Sequence, residues 1–184
     1  MFENNQQTGT RIPRRITKNR LRNIGLYYLE HYESSVDNLR DVLMKRTKKY
    51  KIAVPKFNIN EAKIWIEEII ADFVRLGYLN DERYAEMKIN SYLAAGKPER
   101  YIQIKLRQKG ISENIIENIL HQKDFSPLDM AMNFAKKKSF GPYSPSEELR
   151  LQNRQKDLCR LVRAGFDYDI ALQVINASLD ESMG

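Results

Sequence analysis

A pattern of two apolar, two polar and two apolar residues recurs three times along the chain. Its copies are Trp65-Ile66 with Ile69-Ile70, Ile115-Ile116 with Ile119-Leu120, and Ile170-Ala171 with Val174-Ile175. Apolar residues at this spacing lie on one face of an α-helix. The copies begin at positions 65, 115 and 170, so the two intervals between them are nearly equal. A helical unit repeated at such a period predicts a helical array, and an array of this kind depends on a partner surface more than on a catalytic pocket.

The second and third copies align without a gap over a longer segment. Residues 106–112 fall on residues 161–167, and in both segments a helix is predicted to end at a glycine, Gly110 or Gly165. An apolar residue and then a capping residue, Ser112 or Asp167, follow each glycine. Glycine is the preferred residue just past a helix end, and Ser or Asp is preferred at a helix start. The segments therefore predict equivalent helix–turn–helix joints in two successive units.

Capping residues, glycines and prolines divide the chain into nine predicted helices with no strand. The predicted helix starts include Thr17, Ser34 or Ser35, Asn60, Ser112 and Ser126 followed by Pro127. The predicted fold is all-α, a tandem array of three three-helix repeats that is elongated and curved. Its parts are a basic, disordered N-terminal arm at 1–16, a first repeat at 17–79 with a long basic connector at 47–58, a second repeat at 80–124, and a third repeat with a short tail at 125–184.

Positive charge is concentrated in the N-terminal third. The chain of 184 residues has a formal charge of +7. Residues 1–58 contain 13 Lys or Arg and 5 Asp or Glu, a net of +8, whereas residues 59–125 contain 10 and 11 and residues 126–184 contain 8 and 8. A basic end on a neutral body favours a polyanionic partner, although a solvated face that keeps the protein soluble is the alternative.

The remaining composition bounds the class of protein. A single cysteine, Cys159, offers no intramolecular disulfide and favours a reducing compartment. Its place in the apolar register of a helix predicts a buried thiol that packs as a small hydrophobic side chain. No apolar run approaches the roughly 20 residues that cross a bilayer, and the first residues lack the apolar core of a signal peptide. We expect a cytoplasmic protein with no membrane contact.

No set of side chains in the sequence resembles a catalytic or metal centre. Asp81 and Glu82 are adjacent, so on a helix they point about 100° apart and do not converge on a substrate. His31 and His121 are isolated from each other, and neither has a second His or Cys three or four residues away. Phosphate-binding glycine loops, Ser/His/Asp groupings and CxxC motifs are absent from the sequence. We therefore expect a protein that is not an enzyme and that uses no cofactor or metal.

Three segments resemble the RecX family of regulatory proteins. Residues 76–85, Leu-Gly-Tyr-Leu-Asn-Asp-Glu-Arg-Tyr-Ala, are similar to the family's hallmark segment. Residues 96–111 resemble its second-repeat helix, and residues 154–166 resemble the third more loosely. The resemblance covers residues 17–178, and it is weakest in the first repeat because the connector and the basic arm depart from the family pattern.

The resemblance implies a negative modulator of the RecA recombinase, acting in DNA repair, homologous recombination and the SOS response. Such proteins bind the groove of the RecA–DNA filament and restrain its extension, ATPase, strand exchange and co-protease activity. The alternative is a RecA-independent helical module that binds nucleic acid. We expect a monomer that also binds single- or double-stranded DNA weakly and without sequence specificity.

Basic residues are the candidates for contact with the filament or with DNA. Arg100 and Arg107 are seven residues apart and are expected to share one helix face, whereas Lys105 and Lys109 lie on another. These four residues could equally be solvated surface charges that contact neither the filament nor DNA. The stronger candidates come from the N-terminal third: Arg14, Arg15, Arg20, Arg22, Lys45, Arg46, Lys48, Lys49 and Lys51.

Overall fold

The computed structural model describes residues 13–177, and within that range the chain folds into helices with no strand. This described part contains nine α-helices joined by short turns, and one 3-10 turn, Gly141–Tyr143, precedes the eighth helix. The helices are α1 (Lys18–His31), α2 (Val36–Ala53), α3 (Ile59–Arg75), α4 (Asp81–Ala94), α5 (Glu99–Arg107), α6 (Glu113–His121), α7 (Pro127–Lys137), α8 (Glu147–Ala164) and α9 (Tyr168–Asn176). The predicted all-α class is confirmed.

Capping residues set most of the helix starts. The side chains of Thr17, Ser35 and Ser126 accept hydrogen bonds from backbone N–H groups in the first turns of α1, α2 and α7. These bonds satisfy donors that have no partner inside a helix. The predicted cap of α3 was wrong, because it is the Asn58 side chain that accepts from the N–H groups of Asn60 and Glu61, and the helix begins at Ile59.

Each group of three helices encloses one cluster of buried apolar side chains. Leu21, Leu43 and Phe73 belong to the cluster of α1–α3. The clusters of α4–α6 and α7–α9 are centred on residues such as Leu106 and Leu161, which are 1% and 0% exposed. The described chain divides between Asn80 and Asp81 into two compact units, the second of which contains α4–α9. The repeat boundaries at 16/17, 79/80 and 124/125 remain a prediction.

The predicted long connector in the first repeat was wrong. Residues 47–53 belong to α2, which continues to Ala53, so the connector is confined to residues 54–58. The helix continues because Thr47 is fully buried and Tyr50 packs against the first core, so the inward register of Leu39 and Leu43 extends through the basic run. The lysines between these positions point to solvent and favour the helix by their intrinsic propensity.

The second and third repeats share their local construction. Helix α6 begins at Glu113 and α9 at Tyr168, which are the positions that the gapless sequence alignment makes equivalent. Gly110 and Gly165 both adopt the left-handed backbone conformation, with φ of 76° and 106°. The N–H groups of Ile111 and Phe166 donate to the carbonyls of Leu106 and Leu161, at 3.2 Å in both cases. No helix in residues 13–177 combines the length and the apolar character that a bilayer span needs.

Candidate functional site

The N-terminal candidates surround the start of α1. Arg14 and Arg15 are exposed in the non-helical lead-in. Arg20 is half-buried and lies on the side of α1 opposite to the buried Gly25. The Arg22 guanidinium lies over the Phe73 ring, 5.8 Å from its centre, in a cation–π contact. Arg14, Arg15 and Arg20 are therefore the members of this group that are presented to a ligand.

The start of α1 and the end of α2 lie at the same end of the first unit. The Asn38 side-chain amide donates to the Tyr28 hydroxyl at 3.0 Å, so the end of α1 meets the start of α2. Further along, Gly25 packs near Leu43, because a Cβ built on Gly25 would lie 3.9 Å from Leu43 Cδ1. The earlier residue of α1, Gly25, is thus near the later residue of α2, Leu43, so the two helices are antiparallel. The antiparallel pairing thus brings the basic start of α1 to the end of the pair that contains the basic run of α2.

The outer side of α2 carries a row of exposed lysines. Lys45, Lys48 and Lys49 are exposed and lie opposite the buried Leu39 and Leu43, at spacings of three and four residues that place them on one helix face. We call these three residues the lysine face. In residues 13–177, none of the three amines forms an ion pair with a carboxylate. Their charges remain available to a polyanion.

Two further residues of α2 flank the lysine face. Arg46 is exposed but lies toward the inner side of the helix. Ile52, seven residues after Lys45, is 83% exposed and continues the lysine face along the helix. Ile52 was not among the predicted contact residues, although its i+7 relation to Lys45 is visible in the sequence. An apolar side chain next to three amines would meet the non-ionic part of a ligand bound there.

Lys51 lies on another side of the helix and has a structural contact. Its amine donates to the carbonyls of Pro55 and Phe57, at 2.6 and 2.7 Å. These bonds hold the short connector against the last turn of α2. The negative end of the helix dipole also stabilises a cation at this position. Two of its three donors are therefore engaged within the chain.

The candidates of the second repeat do not form one surface. Arg100 and Arg107 share the outer face of α5 with Ile104, as their spacing predicted. The Arg107 guanidinium donates to both carboxylate oxygens of Glu113 at the start of α6. This hydrogen-bonded pair holds the pKa of Glu113 below its ordinary value and raises the pKa of Arg107. Arg107 is therefore engaged in joining α5 to α6.

The other two lysines of this group lie away from that face. Lys105 is half-buried, with its amine 5.6 Å from the centre of the Tyr101 ring and 3.4 Å from Gln108 Oε1. Lys109 is exposed just beyond the end of α5. Arg100 is exposed, and in residues 13–177 it has no carboxylate partner. Within α5, Arg100 is consequently the clearest candidate for contact with a ligand.

Exposed aromatic rings on α1 were also missed. Tyr27 is 66% exposed, and its ring centre lies 4.4 Å from that of the exposed His31. Both residues lie on the outer side of α1, which also carries Arg20. Tyr27 and His31 are four residues apart, and this spacing was the signal that the sequence offered for a shared helix face.

In residues 13–177, no cluster of three or more His, Cys, Asp or Glu side chains could hold a metal ion. Cys159, which was predicted to be buried, is exposed. The prediction was wrong because α8 turns Asp157, Leu158 and Leu161 inward, and the next position after Leu158 is rotated by about 100°. The candidate sites in residues 13–177 are therefore the exposed basic surfaces.

Comparisons with known proteins agree on one family. A family model described as RecX, second three-helix domain, matches residues 80–120. The regulatory protein RecX of Myxococcus xanthus is 35% identical over 175 residues, which cover 94% of this chain and 93% of that protein. The regulatory protein RecX of Agrobacterium fabrum is 27% identical, with 88% and 84% of the two chains covered.

Solved structures show the same fold. The crystal structure of RecX from Lactobacillus salivarius has a TM-score of 0.64 with this chain at 23% identity, and the match covers 86% of this chain and 94% of the other. A second crystal structure, of a regulatory protein RecX, has a TM-score of 0.65 at 21% identity. Since the Myxococcus xanthus relative is 35% identical over nearly the full length of both chains, this protein belongs to the RecX family of regulatory proteins.

Proposed function

We propose that this chain is a negative modulator of the RecA recombinase that binds the groove of the RecA–DNA filament. Binding restrains filament extension, and with it the ATPase, strand exchange and co-protease activity of the filament. Membership of the RecX family supports the regulatory role. The protein acts as a cytoplasmic monomer and forms no covalent intermediate, because binding across neighbouring subunits is sufficient to oppose extension.

The observation that carries the proposal is the lysine face of α2. Lys45, Lys48 and Lys49 are exposed, share one helix face and lack carboxylate partners within the described residues. The antiparallel pairing of α1 and α2 brings the basic start of α1, with Arg14 and Arg15, to the same end of the unit. Such a concentration of unpaired cations is the footprint of a surface that contacts phosphates. In the filament, this surface binds the DNA backbone.

The test reverses the charge of the lysine face. The variant carries Lys45→Glu, Lys48→Glu and Lys49→Glu, and its matched control carries the same reversals at 136, 137 and 138. The control residues are three exposed lysines at the end of α7 and just beyond it, so both variants change the net charge equally. Binding to filaments on single-stranded DNA is measured by co-sedimentation at several salt concentrations.

We expect the lysine-face variant to bind the filaments more weakly and its affinity to depend less on the salt concentration. The control variant should change little in either respect. Each phosphate contact on single-stranded DNA contributes about 0.7 to the slope of log affinity against log salt. Three lost contacts should therefore reduce the slope by about 2. Equal losses in the two variants would show that only net charge matters, and the assignment of the lysine face would fail.

A RecA-independent nucleic-acid module is the second candidate function. The same lysine face favours it, because unpaired cations bind phosphate whether or not a recombinase is present. The two functions differ when the protein is given single-stranded DNA with and without RecA. Binding that is equally tight in both cases, with no effect on the recombinase, would favour the module.

A further inference from the structure

The joint between α4 and α5 concentrates positive charge that counts over longer segments conceal. Residues 59–125 are nearly balanced, with 10 Lys or Arg and 11 Asp or Glu. Within them, residues 87–112 contain six Lys or Arg and one Asp or Glu, which leaves four and ten in the remaining residues. The six basic residues are Lys88, Lys97, Arg100, Lys105, Arg107 and Lys109. The second repeat therefore contains a basic segment of its own.

Two of these lysines contact the same aromatic ring. Tyr101 and Lys105 are four residues apart on α5 and share a helix face, whereas Lys97 reaches the ring from the turn before the helix. The Lys97 amine lies 5.2 Å and the Lys105 amine 5.6 Å from the centre of the Tyr101 ring. At these distances the ring attracts each amine in a cation–π contact. We call Lys97, Tyr101 and Lys105 the lysine–tyrosine clamp.

Helix α4 holds the ring of the clamp in place. Tyr92 and Tyr101 meet edge to face, with ring centres 5.7 Å apart and planes at 84°, and both residues are half-buried. Aromatic pairs favour this arrangement. Because α4 holds the ring and the ring attracts the amines, both charges are positioned before a ligand binds. Less side-chain entropy is then lost when an anion is bound.

The amines of the clamp are available to such an anion. Within the part of the chain that the structure describes, neither Lys97 nor Lys105 forms an ion pair with a carboxylate. The Lys105 amine donates to Gln108 Oε1 at 3.4 Å, so two of its three donors remain for a ligand. Lys97 is exposed to solvent.

The carboxylates of α5 and α6 lie on other sides of α5. Glu99 accepts a hydrogen bond from the Gln103 side chain at 2.8 Å, and it precedes the tyrosine of the clamp by two residues, or roughly 200° around the helix. On α6, the hydrogen bond that Glu113 accepts from Arg107, followed by the charge of Glu117, raises the pKa of Arg107. Arg107 is likewise two residues beyond the second lysine of the clamp, on another side of α5.

The carboxylates of α4 are also engaged or distant. Glu86 forms an ion pair with Lys123 at 3.0 Å. Asp81 and Glu82 lie in the first turn of α4, ten or more residues before Tyr92, which is roughly 15 Å or more along the helix. The carboxylates of α4–α6 therefore leave the charge of the clamp uncompensated.

The third repeat shows that the helical unit is built without such a ring. By the offset that places residue 106 on residue 161, Tyr101 corresponds to Lys156, which is exposed on α8. By the same offset, Lys97 corresponds to Gln152. The clamp is therefore a feature of the second repeat alone of these two, and the packing of a repeat does not require it.

The chemistry of the clamp fits the phosphates of a nucleic-acid strand. A lysine amine is a compact charge with three donors, and it is a common ligand of phosphate. Because the two amines lie over the ring, the ring is not open to a stacked base, and the contact is with the backbone. A strand carries a negative charge at every nucleotide, so it can meet both amines in any register. An acidic protein would have to place carboxylates at two matching positions.

We propose that the lysine–tyrosine clamp is a second phosphate-binding surface, which holds the backbone of a nucleic-acid strand without reading its bases. The lysine face of α2 belongs to the first compact unit and the clamp to the second, so each unit contacts phosphates through its own lysines. This inference rests on the DNA contact in the proposed function and does not depend on the RecA partner.

The first test removes the two charges of the clamp. The variant carries Lys97→Gln and Lys105→Gln, and its matched control carries Lys137→Gln and Lys156→Gln at two exposed lysines of the second unit. Binding of the full chain to an oligo-dT strand, without RecA, is measured by fluorescence anisotropy at several salt concentrations. We expect the affinity of the clamp variant to fall about tenfold at low salt, because two charged hydrogen-bond donors are lost. The slope of log affinity against log salt should fall by about 1.4.

The outcomes separate this inference from the proposed function. Unchanged binding by the clamp variant, while the lysine-face variant binds more weakly, would overturn the clamp and leave the proposed function intact. Equal losses in the clamp variant and its control would show that only net charge matters, and would overturn the clamp as well. If the unmodified protein does not bind the strand at low salt but still restrains the ATPase of RecA, both DNA contacts fail and the modulator function stands. A clamp variant that loses binding to poly-glutamate but not to oligo-dT would assign the surface to an acidic protein instead.

A second pair of variants tests whether the ring positions the amines. Tyr101→Leu removes the ring and keeps both charges, so we expect about threefold weaker binding to oligo-dT with an unchanged salt slope. Tyr101→Phe keeps the ring and should bind like the unmodified protein. The melting temperatures of both variants are measured, and Tyr101→Phe remains informative if Tyr101→Leu fails to fold. Weaker binding by folded Tyr101→Phe would assign the contact to the hydroxyl and overturn the positioning role of the ring, as would undiminished binding by folded Tyr101→Leu.

Discussion

Gly25 is the residue whose substitution tests the packing of the first repeat most sharply. It lies inside α1 and is buried, and a Cβ added there would meet Phe73 Cε2 at 2.8 Å. Two effects oppose each other in Gly25→Ala. Alanine is favoured over glycine inside a helix by about 1 kcal/mol. Forcing an extra carbon into a packed core costs about 1–3 kcal/mol.

The surroundings of Phe73 decide which effect is larger. The ring is fully buried, its edge meets Tyr78 with centroids 5.8 Å apart, and the Arg22 guanidinium lies over it. Because the ring is held by these contacts, it cannot withdraw without disturbing them. We therefore expect Gly25→Ala to lower the free energy of unfolding by about 1 kcal/mol, measured by urea denaturation.

The control for this prediction is Asn23→Ala in the same helix. Asn23 is exposed, so alanine brings the gain in helix propensity without the clash and should raise the free energy of unfolding by about 0.5 kcal/mol. The two variants should then differ by about 1.5 kcal/mol. If Gly25→Ala proves as stable as Asn23→Ala, the close packing of α1 on Phe73 is refuted.

Two further predictions concern polar contacts of the second unit. The lowered pKa of Glu113 means that its pairing with Arg107 stabilises the fold above the ordinary carboxyl pKa, and that this contribution is lost as the pH falls through the lowered value. Arg107→Gln should therefore raise the pKa of Glu113 toward its ordinary value in a carboxyl NMR titration, and an unchanged pKa would exclude the pairing. The buried carboxylate of Asp157 accepts hydrogen bonds from the Gly141 N–H and from Arg160. Asp157→Ala should cost about 2 kcal/mol in thermal or urea unfolding because these donors lose their partner, whereas a cost near zero would show that the contacts are not stabilising.

The sequence predicted the elements whose signals are local. Caps such as Thr17 and Ser126 act through hydrogen bonds to residues three positions away, so they are readable from a short segment. The equivalence of α6 and α9 also held, because the turn depends on Gly165 in a conformation that disfavours other residues. The basic run of α2 was wrongly predicted as a connector, because the inward-facing Thr47 and Tyr50 are separated and flanked by lysines that give no apolar pattern.

Contacts made by a helix with the residues that follow it, or with another helix, could not be predicted from the sequence. The engagement of Arg107 by Glu113 and of Lys51 by two carbonyls depends on how the chain turns after a helix end. The exposure of Cys159 follows from which side of α8 faces the third core, and the buried Asp157 lies at a position where charge is rarely found. Charge counts located the basic third of the chain, but the pairing of individual side chains required the fold.

The most direct test of the central claim is the DNA-dependent ATPase of RecA on single-stranded DNA, titrated with this protein at two salt concentrations. We expect loss of ATPase at protein concentrations well below that of RecA, with a weaker effect at higher salt because the lysine face contacts phosphates. An unchanged ATPase, under conditions where the protein demonstrably binds the DNA, would contradict the account and favour a RecA-independent nucleic-acid module.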